Sequence, residues 1–319
     1  MGIQPKRIGQ RTRVVKHEKE KIMRKELMNY FQSLASSDKT IDISQMSYDC
    51  QFIPIEGKLY YKKHLDEQYS VAGMISSKMY KDIGIMTPEY YLGKDERTPL
   101  KPSLYTLCQK IHQTPNYRVV SGHEALGMML LQFKHVNDYR KKWDIINRPD
   151  VRDEFLKYMT EECLDELIGI FLADELRTES DRNSSNYYLA INKKTGLGEH
   201  VISIDHDNVM IVTPEMATNR EEFNTFLYLP TQTYTATQRH DFRSHHGRLR
   251  DIKQLLQDGK ISDKNIDLLK RATSYDLPAL AKKTIDNHPE IEEYRKFIVT
   301  PTSYLWEENR RDLGRELGL

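Results

Sequence analysis

The pattern of apolar and polar positions changes character about a third of the way along this chain. Extended patterns prevail before residue 122, and they surround one helical pattern over 66–82, which ends before Gly84, a typical C-cap residue. The strands are predicted over 41–63 with a turn at Gly57, and over 86–93, 104–111 and 117–120. The first third is therefore predicted to be a set of strands around one helix.

From about residue 122 the apolar residues recur at helical spacing. A helix over 151–176 carries Cys163, Leu167 and Ile170 on one apolar stripe, which is typical of core packing. A polar loop follows it, and then YYLAIN and VISID read as two strands joined by a glycine-containing turn. Further helices are predicted over 17–35, 123–145, 248–257, 262–272, 277–286, 289–297 and 303–316.

Strands first and helices later, with one small hairpin between them, predict an α+β protein with two lobes. The boundary falls near residues 112–122, where Pro115, Asn116 and Gly122 cluster. The predicted division is a basic, helical N-terminal extension over 1–40, a small β-rich N-lobe over 41–116 and a larger helical C-lobe over 117–319.

Composition narrows the class of protein. With 38% hydrophobic and 30% charged residues among 319, the chain reads as globular, and no apolar stretch approaches the roughly 20 residues that span a bilayer. No apolar segment near the N-terminus predicts a secretory signal. A net charge of only +1 argues against a general nucleic-acid binder. The three cysteines are odd in number and far apart (Cys50, Cys108 and Cys163), which favours reduced thiols in a cytosol.

Residues 177–207 carry the most informative chemistry. Asp181 precedes Asn186 by five residues in a loop after a buried helix, and the predicted hairpin then delivers Asp205 at the end of its second strand. Phosphoryl transfer needs Mg²⁺ on hard oxygen ligands, which the Asn186 amide and the Asp205 carboxylate can supply. Asp181 can orient an acceptor hydroxyl and accept its proton. An Asp and an Asn five residues apart are common in proteins. The position of this pair between a helix, a strand and a hairpin is what indicates a catalytic site.

This segment resembles the catalytic and metal-binding segments of the HipA-type and cell-translocating bacterial kinases and, more distantly, the phosphatidylinositol 3-/4-kinases. The resemblance implies a two-lobed protein-kinase-like fold that uses ATP and Mg²⁺. It implies Asp181 as the catalytic base, with Asn186 and Asp205 as magnesium ligands. Asn183 stands where the family has His. Asp207 replaces a small residue, as a second metal ligand or a solvated acid.

The first third resembles the same families' lysine strand, helix and following turn. Lys62 and Lys63 are both candidates for the lysine that contacts the ATP phosphates, and they point to opposite faces of a strand. Lys63 is favoured because it shares a face with Leu59 and Tyr61. The glutamate that the family expects in the helix would fall near Gly73, so the resemblance leaves Glu67 as the candidate partner for the lysine. No glycine-rich loop precedes the lysine strand.

The sequence therefore predicts a protein serine/threonine kinase that acts on a protein substrate. Two alternatives stay open: a phosphoinositide or small-metabolite kinase, and a pseudokinase-like module that binds polyanions. The basic cluster within 239–253 is the candidate site for a phosphoinositide or inositol phosphate in both alternatives. The predicted location is the cytosol, either of its own cell or of a host that receives the chain as an effector.

Overall fold

A computed structural model describes most of the strands and helices of the protein. The described residues are 40–45, 51–55, 57–64, 67–97, 103–111, 113–122, 124–125, 157–177, 186–204 and 261–317. They belong to the compact unit Ser37–Leu319. The helices predicted over 17–35, 123–145 and 248–257 lie wholly or mostly outside the described ranges, as does almost all of the predicted N-terminal extension. Within the described ranges, no helix is long and apolar enough to cross a membrane.

Five strands form the first sheet, in the order β1–β4–β5–β3–β2. β1 runs parallel to β4, and the other neighbours are antiparallel. The turn between β2 and β3 passes through Gly57 at φ +79°, a conformation that residues with a Cβ rarely adopt. The strands are β1 (Thr40–Asp42), β2 (Phe52–Ile55), β3 (Lys58–His64), β4 (Tyr90–Asp95) and β5 (Ser103–Gln109).

The register of this sheet decides which side chains share a face. Lys63 lies opposite Thr106, and Thr106 lies opposite Leu92. Residues directly opposite each other share a face, and neighbours along a strand point to opposite faces. We call the face that carries Tyr61, Lys63, Thr106 and Leu92 the inner face. The face that carries Lys62 is the outer face.

The helix α1 (Glu67–Asp82) packs on the inner face over β4 and β5. Its apolar residues share one core with Leu92 and Leu104 of the sheet. The chain leaves the helix through Gly84 at φ +95°, as the C-cap pattern predicts. The residues of α1 that enter the core, at helical spacing, are Val71, Met74, Ile75 and Met79.

A second, antiparallel sheet has the strand order β6–β7–β8. Its strands are β6 (Tyr117–Ser121), β7 (Tyr187–Asn192) and β8 (Gly198–Ser203). The β7–β8 hairpin confirms the predicted pair of strands. Its residues Val120, Leu189 and Val201 enter the same core as α1, because one face of this sheet packs against the helices.

The rest of the described chain is helical and completes the core. Trp306 is fully buried, and its Nε1 donates a hydrogen bond to the carbonyl of Tyr275. Helix starts follow the capping rules: the Ser262 hydroxyl and the Asp276 carboxylate accept backbone N–H groups of the helices that they precede. The helices are α2 (Glu161–Arg177), α3 (Asp263–Ser274), α4 (Leu277–Asn287) and α5 (Arg295–Leu317), with a 3-10 helix over Pro289–Tyr294.

Two predicted boundaries were wrong, and Gly198 has a part in both. The helix expected from 151 begins at Glu161, and the strand expected from 201 begins at Gly198. Gly198 donates its N–H to the Tyr158 carbonyl, and its own carbonyl accepts the Thr160 N–H. Gly198 also pairs with Ile191 of β7, which extends β8 backwards, and its bonds to Tyr158 and Thr160 hold residues 158–160 out of the helix. The Thr160 hydroxyl then accepts the Cys163 N–H as an N-cap.

The last helices differ from the sequence reading as well. Residues 289–294 form a 3-10 helix, and α5 starts at Arg295 and runs without a break to Leu317. The sequence predicted separate helices over 289–297 and 303–316. Thr302 is buried between them, so residues that look like a polar break belong to the packed helix.

Candidate functional site

The open end of the β7–β8 hairpin holds the described part of the predicted metal site. Asn186 stands directly before β7 and is buried, with 5% of its surface exposed. Its carbonyl accepts a hydrogen bond from the Ile204 N–H at 3.2 Å. Residues 186 and 204 are therefore neighbours at this end of the sheet. Asp205 is the next residue in the sequence after Ile204.

The other acidic residues of the predicted site lie outside the described part of the chain. Asp181, Asp205 and Asp207 all fall within 178–185 or 205–260. The helix that leads towards Asp181 is firmly held, because Asp174 near the end of α2 accepts a hydrogen bond from the Tyr80 hydroxyl of α1. Both ends of the predicted catalytic loop are thus attached to buried elements, α2 before it and β7 after it.

The described residues contain no group of three or more His, Cys, Asp or Glu side chains that could hold a metal ion. The Asn186 amide is the predicted ligand that the structure describes. An amide oxygen here, and the Asp205 carboxylate one residue beyond Ile204, are hard donors of the kind that Mg²⁺ prefers. The structure describes one of these two donors, Asn186, and the magnesium site stays a prediction.

The two candidate lysines lie on opposite faces of β3, as the strand alternation predicts. Lys62 is on the outer face, with its Nζ 4.9 Å from the ring centroid of Tyr105. On that face the pKa of the Asp95 carboxyl falls to about 2, chiefly because Arg97 donates a hydrogen bond to it and to a small extent because Lys62 is near. Lys63 is exposed on the inner face, beside Tyr61.

The inner face is covered over β4 and β5 and open over β2 and β3. We call the open part, formed by Phe52, Tyr61 and Lys63, the open strip. The Tyr61 side chain is 46% exposed and meets the Phe52 ring edge-on, with 5.8 Å between the ring centroids. Cys108 lies directly opposite Tyr61. An aromatic ring and an ammonium group on one open surface suit a ligand that has a flat ring and a negative charge.

Cys108 on β5, directly opposite Tyr61 of the open strip, lies near Tyr188 of the second sheet. Burial raises the pKa of Tyr188 on β7, and nearby Cys108 and Glu124 raise it further. At the end of β8, the Ser203 N–H donates to the Met86 carbonyl at 2.8 Å. The strand that carries Lys63 and the hairpin that carries Asn186 therefore belong to one connected structure.

The helix glutamate proposed as the lysine partner is Glu67, the first residue of α1, whose side chain is outside the described part of the structure. The structure instead reveals Glu89, which the sequence reasoning missed. Its buried carboxylate lies 3.0 Å from Lys81 Nζ and 3.7 Å from Lys58 Nζ. One available signal was an acidic residue directly before the apolar start of β4, Tyr90 to Leu92. The basic cluster within 239–253 lies outside the described residues.

Comparison with known proteins places this geometry in a kinase-like fold. No protein-family model matches the chain, and no curated protein matches it. Among solved structures, the fold matches that of a Helicobacter pylori proinflammatory kinase, CtkA, with a TM-score of 0.53 and 14% identity. The match covers 88% of this chain and 99% of that chain. It confirms the α+β fold with a β-rich N-terminal region and a helical C-terminal region.

A second structure has weaker similarity. It is the complex of HipA, HipB and operator DNA from the toxin–antitoxin system of Shewanella oneidensis MR-1, with a TM-score of 0.43 and 14% identity. The match covers 82% of this chain and 65% of that chain. Neither of these two matches supports the more distant resemblance to phosphatidylinositol kinases.

Proposed function

We propose that this protein is a kinase that uses Mg·ATP to phosphorylate serine or threonine hydroxyls of a protein substrate. One observation supports it most: in a kinase-like fold, the buried Asn186 is hydrogen-bonded to Ile204, directly before Asp205. An Asn amide and an Asp carboxylate are the kind of protein ligands that kinases use to hold phosphate-bound Mg²⁺. The proposed lobes are 41–116 and 117–319, and the proposed place of action is the cytosol of its own cell or a host.

Each proposed residue has one role in this reaction. Asn186 and Asp205 hold the magnesium ion, with Asp207 as a further candidate ligand, and the ion neutralises charge on the transferred phosphoryl group. Asp181 orients the acceptor hydroxyl and takes its proton. Lys63 on the open strip contacts the phosphates as a point charge. Glu67 is the candidate partner of that lysine on α1.

The open strip also supports ATP as the ligand. Lys63 follows Tyr61 by two residues on the same face, a separation of about 7 Å along a strand. A nucleotide has a flat base at one end and anionic phosphates at the other. We propose that the base contacts Tyr61 while the phosphates extend towards Lys63 and Asn186. Lys62, on the outer face beside Tyr105, has no part in this arrangement.

The test is transfer of label from γ-labelled ATP in the presence of Mg²⁺. The purified protein is incubated alone, with a generic protein acceptor and with phosphoinositide vesicles, and Asp181→Ala and Asp205→Ala are run in parallel. Asp263→Ala, which removes an exposed aspartate from the first turn of α3, is the matched control. We expect label in protein with the wild type and the control, and its loss with both variants and with EDTA.

The two variants separate chemistry from binding. Asp181→Ala should abolish transfer and largely spare ATP binding, while Asp205→Ala should weaken the binding of Mg·ATP itself. Label in lipid alone would replace the protein acceptor by a phosphoinositide. Full transfer by both variants, or no nucleotide binding by the wild type, would refute the proposed site.

A further inference from the structure

A buried carboxylate directly before β4 joins two elements of the N-terminal region. The Glu89 side chain is 6% exposed, and its Oε1 accepts a hydrogen bond from Lys81 Nζ on the last turn of α1 at 3.0 Å. Its Oε2 lies 3.7 Å from Lys58 Nζ and accepts a hydrogen bond from the Tyr60 hydroxyl at 3.2 Å, both on β3. Glu89 therefore connects β3 and α1 through one side chain, directly before the chain enters β4.

The backbone of Glu89 is fixed as well. Its N–H donates to Gln109 Oε1 at 3.3 Å, and its carbonyl accepts the Gln109 N–H at 2.8 Å. A buried charge is costly unless it is paired and hydrogen-bonded, and here two ammonium groups and a phenol contact the carboxylate. Burial, and next the charge of Glu89, raise the pKa of Tyr60, so its hydroxyl stays a hydrogen-bond donor.

The residues just before Glu89 reach the other half of the proposed site. We call residues 83–89 the connector. The Met86 carbonyl accepts the Ser203 N–H at the end of β8. Ser77 of α1 donates its hydroxyl to the Pro88 carbonyl at 2.8 Å, and Arg271 of α3 donates to the Ile83 carbonyl at 3.0 Å. One short segment thus contacts both β3, which carries Lys63, and β8, which leads to Asp205.

From these contacts we infer that Glu89 is a positioning residue, which sets the place of Lys63 relative to the Asn186 end of the β7–β8 hairpin. The inference rests on the proposed function. The ion pair that joins sheet and helix has lysines on β3 and on α1, Lys58 and Lys81, and its glutamate at the end of the connector, directly before β4. It offers a physical reason why α1 can lack a glutamate near Gly73. Without the Glu89 charge, the ion pairs of Lys58 on β3 and Lys81 on α1 with the connector are lost, and the Ser77 hydrogen bond to Pro88 remains.

The first experiment measures kcat and the KM for ATP of Glu89→Gln, which keeps the size of the side chain and removes its charge. We expect kcat to fall by about 10- to 100-fold, because small displacements of reacting groups cost that much. Lys94→Met is the matched control: Lys94 lies on β4 and pairs with Glu96 at 2.8 Å and Glu290 at 3.8 Å, away from the connector. Its kcat should stay within about twofold of the wild type, as for surface ion pairs.

A double-mutant cycle separates positioning from general stability. If Glu89 acts through Lys63, Glu89→Gln should add less than about a twofold loss in a Lys63→Ala background. If Glu89 only stabilises the fold, the two losses multiply, and the inference is overturned. If Glu89→Gln does not fold, Lys81→Met and Lys81→Arg carry the same cycle, and Lys81→Arg should retain activity because it keeps the ion pair.

The outcomes also distinguish this inference from the proposed function. A wild type that transfers phosphate, with Lys63→Ala impaired and Glu89→Gln unimpaired, overturns the inference and leaves the kinase intact. A wild type that transfers no phosphate and binds no nucleotide overturns both. A loss of kcat in Glu89→Gln at a temperature well below its thermal midpoint, absent in Lys94→Met and not multiplied in the double variant, supports it.

Discussion

The two halves of the inner face differ in exposure although they belong to one hydrogen-bonded sheet. On β4 and β5, Leu92 and Thr106 are buried beneath α1. On the adjoining β2 and β3, Tyr61 is 46% exposed and Lys63 is exposed. Lys63 and Thr106 are directly opposite each other across β3 and β5. The boundary between the covered half and the open strip thus lies between two paired strands.

From this difference in exposure we expect the face to be divided between two tasks. The covered half packs against α1 in the hydrophobic core, so substitutions there should lower the free energy of unfolding. The open strip has an aromatic ring and an ammonium group in reach of solvent, so changes there should lower nucleotide affinity or turnover with little effect on stability. The predictions below test this division, from the largest expected effect to the smallest.

The largest effect on phosphoryl transfer should come from comparing lysine substitutions on the two faces of β3. We expect Lys63→Ala to lower kcat/KM for phosphoryl transfer by about 100-fold or more, since a group that stabilises transferring charge is worth that much. Lys62→Ala should change it by less than about threefold, because its loss removes an outer-face contact with Tyr105. Steady-state kinetics of both variants would decide, and equal losses would contradict the assignment of the inner face.

In the covered half, Leu92→Ala should lower the free energy of unfolding by about 3 kcal/mol, because Leu92 is fully buried and the vacated volume cannot fully collapse. Urea unfolding monitored by circular dichroism measures it. At temperatures where the variant stays folded, its nucleotide affinity should match that of the wild type. A loss of affinity without a loss of stability would contradict the proposed division.

The open strip should show the reverse behaviour. Tyr61→Leu should weaken the binding of adenosine, ADP and ATP alike by about tenfold, the size of one base–aromatic stacking contact. Tyr61→Phe should retain the affinity, because it keeps the ring. Lys63→Ala should weaken ATP and ADP and leave adenosine unchanged. Calorimetric titration of the three ligands separates these cases, and a loss specific to ATP in Tyr61→Leu would exclude contact with the base.

The smallest expected effect is on the outer face and concerns the pH dependence of the free energy of unfolding. The sign of this dependence follows from the pKa of Asp95. Arg97 lowers that pKa from its ordinary value of 3.8 to about 2 in the folded protein. The stabilisation of the folded protein by this ion pair is fully present when the pH is above the pKa of Asp95 in the unfolded chain. It is lost as the pH falls towards about 2, because the unfolded chain takes up the proton first. Between pH 4 and pH 2, wild-type stability should therefore fall more steeply than that of Asp95→Asn. Parallel slopes in urea unfolding would show that the ion pair contributes nothing.

Much of the local structure was predictable because it depends on short-range pattern. The strand over 187–192 and the helix from about 66 to 82 were predicted to within a residue, since alternation and helical spacing are local properties. The start of α2 was not, because it depends on hydrogen bonds between Tyr158, Thr160 and the distant Gly198. The predicted hairpin was expected to bring residues 186 and 205 close together, and the structure shows the hydrogen bond between the neighbouring residue 204 and residue 186.

For the candidate site, the sequence by itself determined which residue types could perform phosphoryl transfer and that Lys62 and Lys63 point to opposite faces. The alternation of a strand fixes that opposition. Only the tertiary structure decided which face of the first sheet packs against α1. It also decided that Glu89 forms ion pairs with Lys58 and Lys81. Burial and ion pairing depend on which distant elements pack together, and no local pattern of residues contains that information.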